Sequence, residues 1–328
     1  MAQTLSEVAD THWAAVGRTI DDEVIDNIFE KYATVDAFRT DALQITDSGG
    51  RGFEVHIETG TNTQAGSFDK YDPLNKDPVN PVESAFYNKR YYYCPIILSD
   101  TEYWENSGPE KRFDELRFLG ENSMKSLIKT INEDFYSAQT GKNMLGFQDI
   151  IADAASSTLG GISASTTASW DNNRYTTSKT FLTQTTTNIF DGFVAWNALL
   201  DAIHIDGGRP KKLFTTWSVV RAYRTAVSGE GYARTDLANA KGVGGKMAPS
   251  FYDMDVVPDN DCTALHCYMV DPDGLKLRVM KQVNFKKTPF VPLQSNGQLA
   301  QLAYVVAGVQ LVCSARRYQG VATAVTGS

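Results

Sequence analysis

The chain of 328 residues is 42% hydrophobic and 21% charged, which is typical of a globular protein and excludes disordered, collagen-like and coiled-coil classes. Its length corresponds to about two domains, and it is long enough to fold without disulfide or metal staples. Lys and Arg number 31 against 39 Asp and Glu, a formal net charge of −8. A free-standing nucleic-acid-binding protein is therefore not expected, because such proteins need a basic face to displace counterions from phosphates.

The cysteine content and the apolar stretches indicate where the protein is made. Four cysteines in a chain of this size do not indicate a disulfide framework. The first ten residues lack the basic start and apolar run of a secretory signal. The longest apolar stretch, near 302–312, is interrupted by Gly308 and Gln310 and is shorter than the ~20 residues of a membrane span. We therefore expect synthesis in a reducing cytoplasm and no membrane insertion.

The first predicted element is an amphipathic helix from about Asp21 to Phe38. Its apolar residues recur at helical spacing, and three acidic residues lie in its first turn, where the helix dipole favours them. The apolar stripe of such a helix most often covers the chain's own core. The alternative is an arm that packs on a neighbouring subunit, with Phe29 and Tyr32 among the contact residues.

Two strand-like segments, 51–60 and 84–99, flank a connection rich in Gly, Asn, Asp and Pro. A lone two-stranded ribbon is marginal in water, and its tip cannot bury enough apolar surface to offset its own ordering entropy. The tip is therefore either disordered or ordered against another molecule, and its scattered apolar residues favour the second interpretation. The predicted intersubunit contact residues of the tip are Phe68, Tyr71, Leu74 and Val79.

The strongest helical pattern runs from about 110 to 140. Its apolar stripe, spaced by three and four residues, comprises Phe113, Leu116, Gly120, Met124, Leu127, Ile131, Phe135 and Ala138. Ser107 and Glu110 form a capping-box pattern at its start, and Gly141 is placed as a C-terminal cap. Such a helix spans roughly 45 Å, which is longer than a compact domain requires and is typical of a strut.

The remainder of the chain alternates short helices and strands. Residues 156–187 are rich in Ser and Thr, and helices are predicted at 192–205 and 217–227. The later strands are predicted at 211–215, 255–257, 264–270, 275–281 and 298–312.

No motif indicates catalysis, a cofactor or a metal. The stretch GVGGKM at 242–247 lacks the first glycine and the hydroxyl residue of a phosphate-binding loop. Cys262, His266 and Cys267 lack the paired spacing of a zinc site, and buried free thiols explain them better. The aromatic residues 91–93 follow two basic residues, as in single-strand nucleic-acid sites, but a packed strand fits the acidic chain better.

Three short motifs after the long helix carry a resemblance to a known family. They are Leu145-Gly146-Phe147 with Ile150 and Ile151, Gly160-Gly161-Ile162, and Trp170-Asp171-Asn172. The end of the chain adds Gln310-Leu311, Arg316-Arg317 and Gly320. Together with the order of the predicted elements, these motifs resemble the major capsid (head) proteins of tailed bacteriophages, which have an α+β fold of the Hong Kong 97 type.

The resemblance implies a division of the chain into five parts. In chain order these are an N-terminal arm at 1–50, an extended hairpin loop at 51–99, a peripheral domain with the spine helix at 100–144, an axial domain at 145–270, and a return to the peripheral domain at 271–328. The hairpin would reach over an adjacent subunit, which gives its tip the partner surface that it needs.

The resemblance also implies a function. The chain would be a structural protein and not an enzyme, a virion component made in the cytoplasm of a bacterial host. Its main partner would be itself, in pentamers and hexamers of an icosahedral shell around double-stranded DNA, without any cofactor or membrane. Scaffolding, portal and decoration proteins are further partners that the family allows. Two alternatives stay open, namely the shell protein of an encapsulin-like cellular nanocompartment and an α+β hydrolase with a hairpin lid.

Overall fold

The computed structural model describes residues 32–40, 44–47, 49–62, 64–74, 76–77, 79–101, 115–181, 191–229, 250–294 and 297–327. The helices in these ranges are α1 (Ala33–Thr40), α2 (Glu115–Tyr136), α3 (Phe147–Ile150), α4 (Asp191–Ile205) and α5 (Trp217–Gly229). The strands are β1 (Gln44–Asp47), β2 (Gly52–Glu58), β3 (Val82–Asn88), β4 (Arg90–Ser99), β5 (Thr158–Leu159), β6 (Ile162–Ser163), β7 (Asn173–Tyr175), β8 (Lys179–Thr180), β9 (Lys212–Thr215), β10 (Ser250–Phe251), β11 (Met254–Pro258), β12 (Cys267–Val270), β13 (Leu275–Met280), β14 (Lys286–Lys287), β15 (Val291–Pro292), β16 (Ala300–Cys313), β17 (Gly320–Ala322) and β18 (Val325–Thr326).

The first sheet is organised around the long strand β16. The order β1-β13-β16-β14 is joined by β15 and β4, which also pair with β16. β4 runs antiparallel to β16 over ten positions, from Ser99 opposite Ala300 to Arg90 opposite Val309. One face of this sheet packs on α2, because Tyr92 and Ile96 of β4 are buried in the same core as Ile131 of the helix.

The second sheet has helices and core side chains on both faces. Its strand order is β10-β11-β9-β12-β17-β7. One face packs on α4 and α5 through a core that includes Trp196 and Tyr223. On the other face Tyr268 stands 5.3 Å from Phe147 of α3, measured between ring centroids. Phe147 and Phe38 of α1 also lie in the core that reaches the first sheet, so one continuous core joins the two sheets.

The long helix differs from its prediction at its end and in its stripe. α2 ends at Tyr136, and Gly141 lies in a separate turn rather than at the helix cap. Its 22 residues span roughly 33 Å. Leu127 and Ile131 are buried, whereas Met124 is exposed, so among the described residues the stripe is not uniformly covered by the core. Ser107, Glu110 and Phe113 lie outside the described residues.

Other boundaries also shift. The predicted strand 84–99 is divided at Lys89, because β3 pairs with β2 while β4 pairs with β16. The described part of the first helix begins at Ala33, and the predicted residues 21–31 lie outside the described part, as does the stretch 242–247.

The predicted return at 271–328 separates into two parts in the structure. β13 and β16 lie in the first sheet, whereas β17 lies in the second sheet, between β12 and β7. Within the described ranges, no helix combines the length and the apolar character that crossing a membrane requires.

Candidate assembly surfaces

The root of the long hairpin is anchored to the chain's own body. β2 and β3 pair antiparallel over seven positions, from Gly52 opposite Asn88 to Glu58 opposite Val82. The inner side chains Phe53, Ile57, Ala85 and Tyr87 are buried. The hydroxyl of Tyr87 donates to the carbonyl oxygen of Cys313 at 2.8 Å, and burial raises the pKa of this phenol above its usual value. The ladder portion therefore does not project freely.

The tip beyond this ladder is exposed. The ladder closes where the amide of Thr59 donates to the carbonyl of Pro81 at 2.7 Å. Local hydrogen bonds occur within the tip, such as Asp69 N to Asp72 Oδ2 at 2.9 Å. The four predicted contact residues of the tip are exposed, with exposed fractions of 69% for Phe68, 97% for Tyr71, 62% for Leu74 and 38% for Val79. The structure thus brings four apolar side chains to one solvent-exposed tip.

The two predicted contact residues of the arm are not on this tip. Tyr32 is half-buried and packs against the chain's own main core. This is the partner that the apolar stripe of an amphipathic helix most often has. Phe29 lies outside the described residues.

The first sheet has an uncovered apolar face that was not predicted from the sequence. The face opposite α2 exposes Tyr91, Tyr93 and Ile97 of β4 and Tyr304 of β16. The rings of Tyr93 and Tyr304 meet edge to face with centroids 5.9 Å apart. An antiparallel sheet usually presents polar residues on its solvent side. The sequence does carry a signal of this face, because the residues on both faces of the strand are apolar over 91–98. A strand that is covered on one face needs apolar residues only on that face.

A buried polar junction ties three elements together. Asp259, at the end of β11, accepts from Thr34 N at 3.1 Å, from Thr34 Oγ1 at 2.7 Å and from Asn132 Nδ2 at 3.1 Å. Thr34 also hydrogen-bonds to the hydroxyl of Tyr136. Asp259, Thr34 and Asn132 are all buried. The junction therefore fixes α1 and the end of α2 against the second sheet, although nothing in the sequence marks Asp259 for this role.

Three of the cysteine and histidine residues, Cys262, His266 and Cys267, lie close together in the described part of the chain. Cys262 and Cys267 are buried, and burial raises the pKa of Cys267 to about 11, which disfavours the nucleophilic thiolate. His266 Nε2 lies within hydrogen-bond distance of Asp153 Oδ2, at 2.8 Å, so a local hydrogen bond accounts for it. Across the described part of the chain, no group of three or more potential metal-binding side chains converges.

No family model and no curated protein matches the chain. Solved structures match over nearly its full length. The capsid asymmetric unit of cyanophage A-1(L) is 15% identical with a TM-score of 0.71, covering 95% of this chain and 98% of that chain. A native GTA particle capsid is 12% identical with a TM-score of 0.67, covering 98% and 99%. The holo-SrpI encapsulin of Synechococcus elongatus is 9% identical with a TM-score of 0.64, covering 99% and 98%.

These three structures are described as two capsids and an encapsulin complex. The likenesses extend across both sheets, because each covers at least 95% of this chain. The chain therefore has the Hong Kong 97-type fold, as its resemblance to phage capsid proteins predicts.

Proposed function

We propose that this chain is the major capsid subunit of a tailed bacteriophage, a virion component whose copies assemble as pentamers and hexamers into an icosahedral shell around double-stranded DNA. The observation that carries the proposal is the exposed apolar tip of the long hairpin, on a chain whose fold matches capsid structures over nearly its whole length. The described apolar side chains of the tip are exposed on their own chain, so a second copy is the natural partner.

The physical argument rests on two apolar surfaces that one copy leaves exposed. The tip carries Phe68, Tyr71 and Leu74, and the first sheet exposes the face around Tyr93. We propose that the tip of one copy covers apolar surface of this kind on the next copy. Such a contact joins two different surfaces, and it generates a closed ring when the rotation between copies closes. Each large apolar side chain contributes about 1.5–3 kcal/mol on full burial.

The described architecture also fits the proposed domain roles. The hairpin loop at 51–99 would make intersubunit contacts, and α2 with the first sheet would form the peripheral domain. The second sheet with α4 and α5 would form the axial domain around the five-fold and six-fold centres; five of its six strands lie within 145–270, and β17 joins them from the end of the chain. Residues 275–313 would return to the peripheral domain. An acidic chain suits a container, because a shell that gripped its DNA at every phosphate would impede packaging and release.

The test is a triple substitution of the tip, Phe68→Ser, Tyr71→Ser and Leu74→Ser. We expect a folded subunit with an unchanged thermal midpoint but a loss of shells in negative-stain images. A loss of about 4 kcal/mol per subunit contact corresponds to a thousandfold rise in the concentration that assembly requires.

The matched control keeps the apolar area with Phe68→Tyr, Tyr71→Phe and Leu74→Met, and it should assemble like the wild type. Shells of normal yield from the serine variant would contradict the role of the tip. A wild-type protein that stays monomeric at all concentrations would contradict the proposed function itself.

A second candidate function is a cellular nanocompartment shell, which the likeness to an encapsulin favours. Both functions use the same assembled shell and differ in its contents. Nuclease-protected DNA inside purified particles supports the phage capsid, whereas a co-purifying protein cargo without DNA supports the nanocompartment.

A further inference from the structure

The motif Gly160-Gly161-Ile162 has a clear structural position at the root of the long hairpin. β5 and β6 form a short two-stranded turn, here called the seat and defined as residues 158–163. The amide of Phe86 in β3 donates to the carbonyl of Gly160 at 2.9 Å. A Cβ added at Gly160 would lie 2.8 Å from the Cβ of Ala85. The long hairpin therefore rests directly on the backbone of Gly160.

The seat is itself held in place by residues of and next to the Trp170-Asp171-Asn172 motif. The indole nitrogen of Trp170 donates to the carbonyl of Leu159 at 3.1 Å, and Trp170 is buried. The neighbouring hydroxyl of Ser169 donates to the carbonyl of Thr59 at 2.6 Å, at the outer end of the hairpin ladder. The seat and residues 168–170 thus contact the hairpin at two separate points, one near its root and one at the outer end of the ladder.

A buried arginine clamps the segment that leads into the seat. Arg316 Nε donates to the carbonyl of Ile150 at 2.6 Å, and its two terminal nitrogens donate to the carbonyls of Ser157 at 3.1 Å and Asp149 at 3.3 Å. Arg316 is fully buried, and these partners are neutral carbonyl groups. A planar guanidinium can bind several carbonyls at once, which the single ammonium of a lysine cannot reproduce. The clamp gives the seat a fixed position against β16 and the final turn.

The connections of the hairpin explain why a seat matters. β2 follows β1 and β3 leads into β4, and both β1 and β4 belong to the first sheet. Two connections at one end of a ribbon leave its tilt about that end free. The contact at Gly160, beside the Tyr87 hydrogen bond, and the contact at Thr59, at the outer end of the ladder, together restrain this tilt.

We propose that the seat, clamped by Arg316, sets the direction in which the long hairpin leaves the molecule and so the angle between neighbouring subunits in the shell. Gly160 and Arg316 are positioning residues and not contact residues of the interface. The proposal rests on the proposed function for its effect on shell geometry, but the hairpin direction itself is a property of the single subunit.

The test compares Gly160→Ala with Gly161→Ala. Both glycines have a positive φ, +62° and +90°, so both substitutions strain the backbone. Only the Cβ at Gly160 meets the hairpin, because nothing lies within 4 Å of a Cβ at Gly161. We expect shells of altered diameter, or open sheets and tubes, from Gly160→Ala and shells of wild-type diameter from Gly161→Ala. Adding Ala85→Gly to Gly160→Ala relieves the contact and should restore the wild-type diameter.

A second measurement separates this inference from the proposed function. Spin labels at Tyr71→Cys and Asp201→Cys, in a Cys94→Ala background, report the distance from tip to body in unassembled subunits. Gly160→Ala should change the mean distance by several ångströms, and Arg316→Lys should broaden the distribution of distances. Gly161→Ala should leave both unchanged. Unchanged distances in Gly160→Ala, or equal changes in both glycine variants, would overturn the proposal that the seat sets the direction of the hairpin. Absence of wild-type shells would overturn the proposed function, while the distances still decide on the seat.

Discussion

Replacing Asp259 with alanine should loosen the attachment of α1 and α2 to the second sheet. The carboxylate accepts hydrogen bonds from the buried donors Thr34 N, Thr34 Oγ1 and Asn132 Nδ2. Thr34 Oγ1 and Asn132 Nδ2 keep other partners, Tyr136 and Asp261, but the amide of Thr34 loses its acceptor. A hydrogen bond to a charged group is worth about 1.5–3 kcal/mol. We count the full loss at the Thr34 amide and the partial losses at the other two donors as about two such bonds. We therefore expect a loss of about 3–6 kcal/mol in the free energy of unfolding.

The measurement is urea denaturation of unassembled subunits, combined with amide hydrogen exchange over residues 33–40. Asp201→Asn is the matched control, because Asp201 is exposed on α4, and it should change stability by less than about 0.5 kcal/mol. Exchange in α1 should accelerate in Asp259→Ala more than exchange in α4. A destabilisation below about 1 kcal/mol, or exchange that rises equally in both helices, would refute the junction as the attachment point of α1.

Two further predictions concern the core and the thiols. Ile131→Ala should cost about 2–5 kcal/mol by opening a cavity under the first sheet, whereas Met124→Ala, at an exposed position of the same stripe, should cost less than about 1 kcal/mol. Equal losses of stability in thermal denaturation would show that both positions are equally buried. A thiol reagent at pH 8 should modify one cysteine per native subunit, Cys94, because burial raises the pKa of Cys267 to about 11 and that of Cys313 to about 12 and also shields Cys262. Rapid modification of three or four thiols without denaturant would contradict this burial.

Local sequence patterns predicted most of the secondary structure. Helical spacing located α4 and α5 within two residues of their observed bounds. Period-two alternation located β2 equally well, and the apolar, small-residue-rich composition near the end of the chain did so for β16. These elements follow their patterns because each has one face that must meet a core, and that face is visible in the spacing. Boundaries were wrong where a tertiary contact ended an element early, as at the division of the predicted strand 84–99 at Lys89.

The candidate surfaces were only partly predictable. The tip residues Phe68, Tyr71 and Leu74 could be chosen from sequence because a long polar connection leaves apolar side chains without a local partner. Their role as contact residues stays a prediction, as does that of Tyr32, which packs on its own core. The sequence could not distinguish the uncovered face around Tyr93 from a buried face. A strand that is apolar on both faces has the same pattern whether one face or both are covered.

The sequence alone determined the order of the elements, the acidic balance of the chain and the exposed hairpin tip, because all of these follow from local composition and periodicity. Only the tertiary structure decided how distant segments meet. It placed Arg316 beside residues 149–157, Asp259 beside Thr34, and Gly160 beneath Ala85. The partners in these contacts are separated by 75 to 225 residues, and a hydrogen bond or a close approach between them depends on the folded path of the backbone and leaves no periodic trace in the chain.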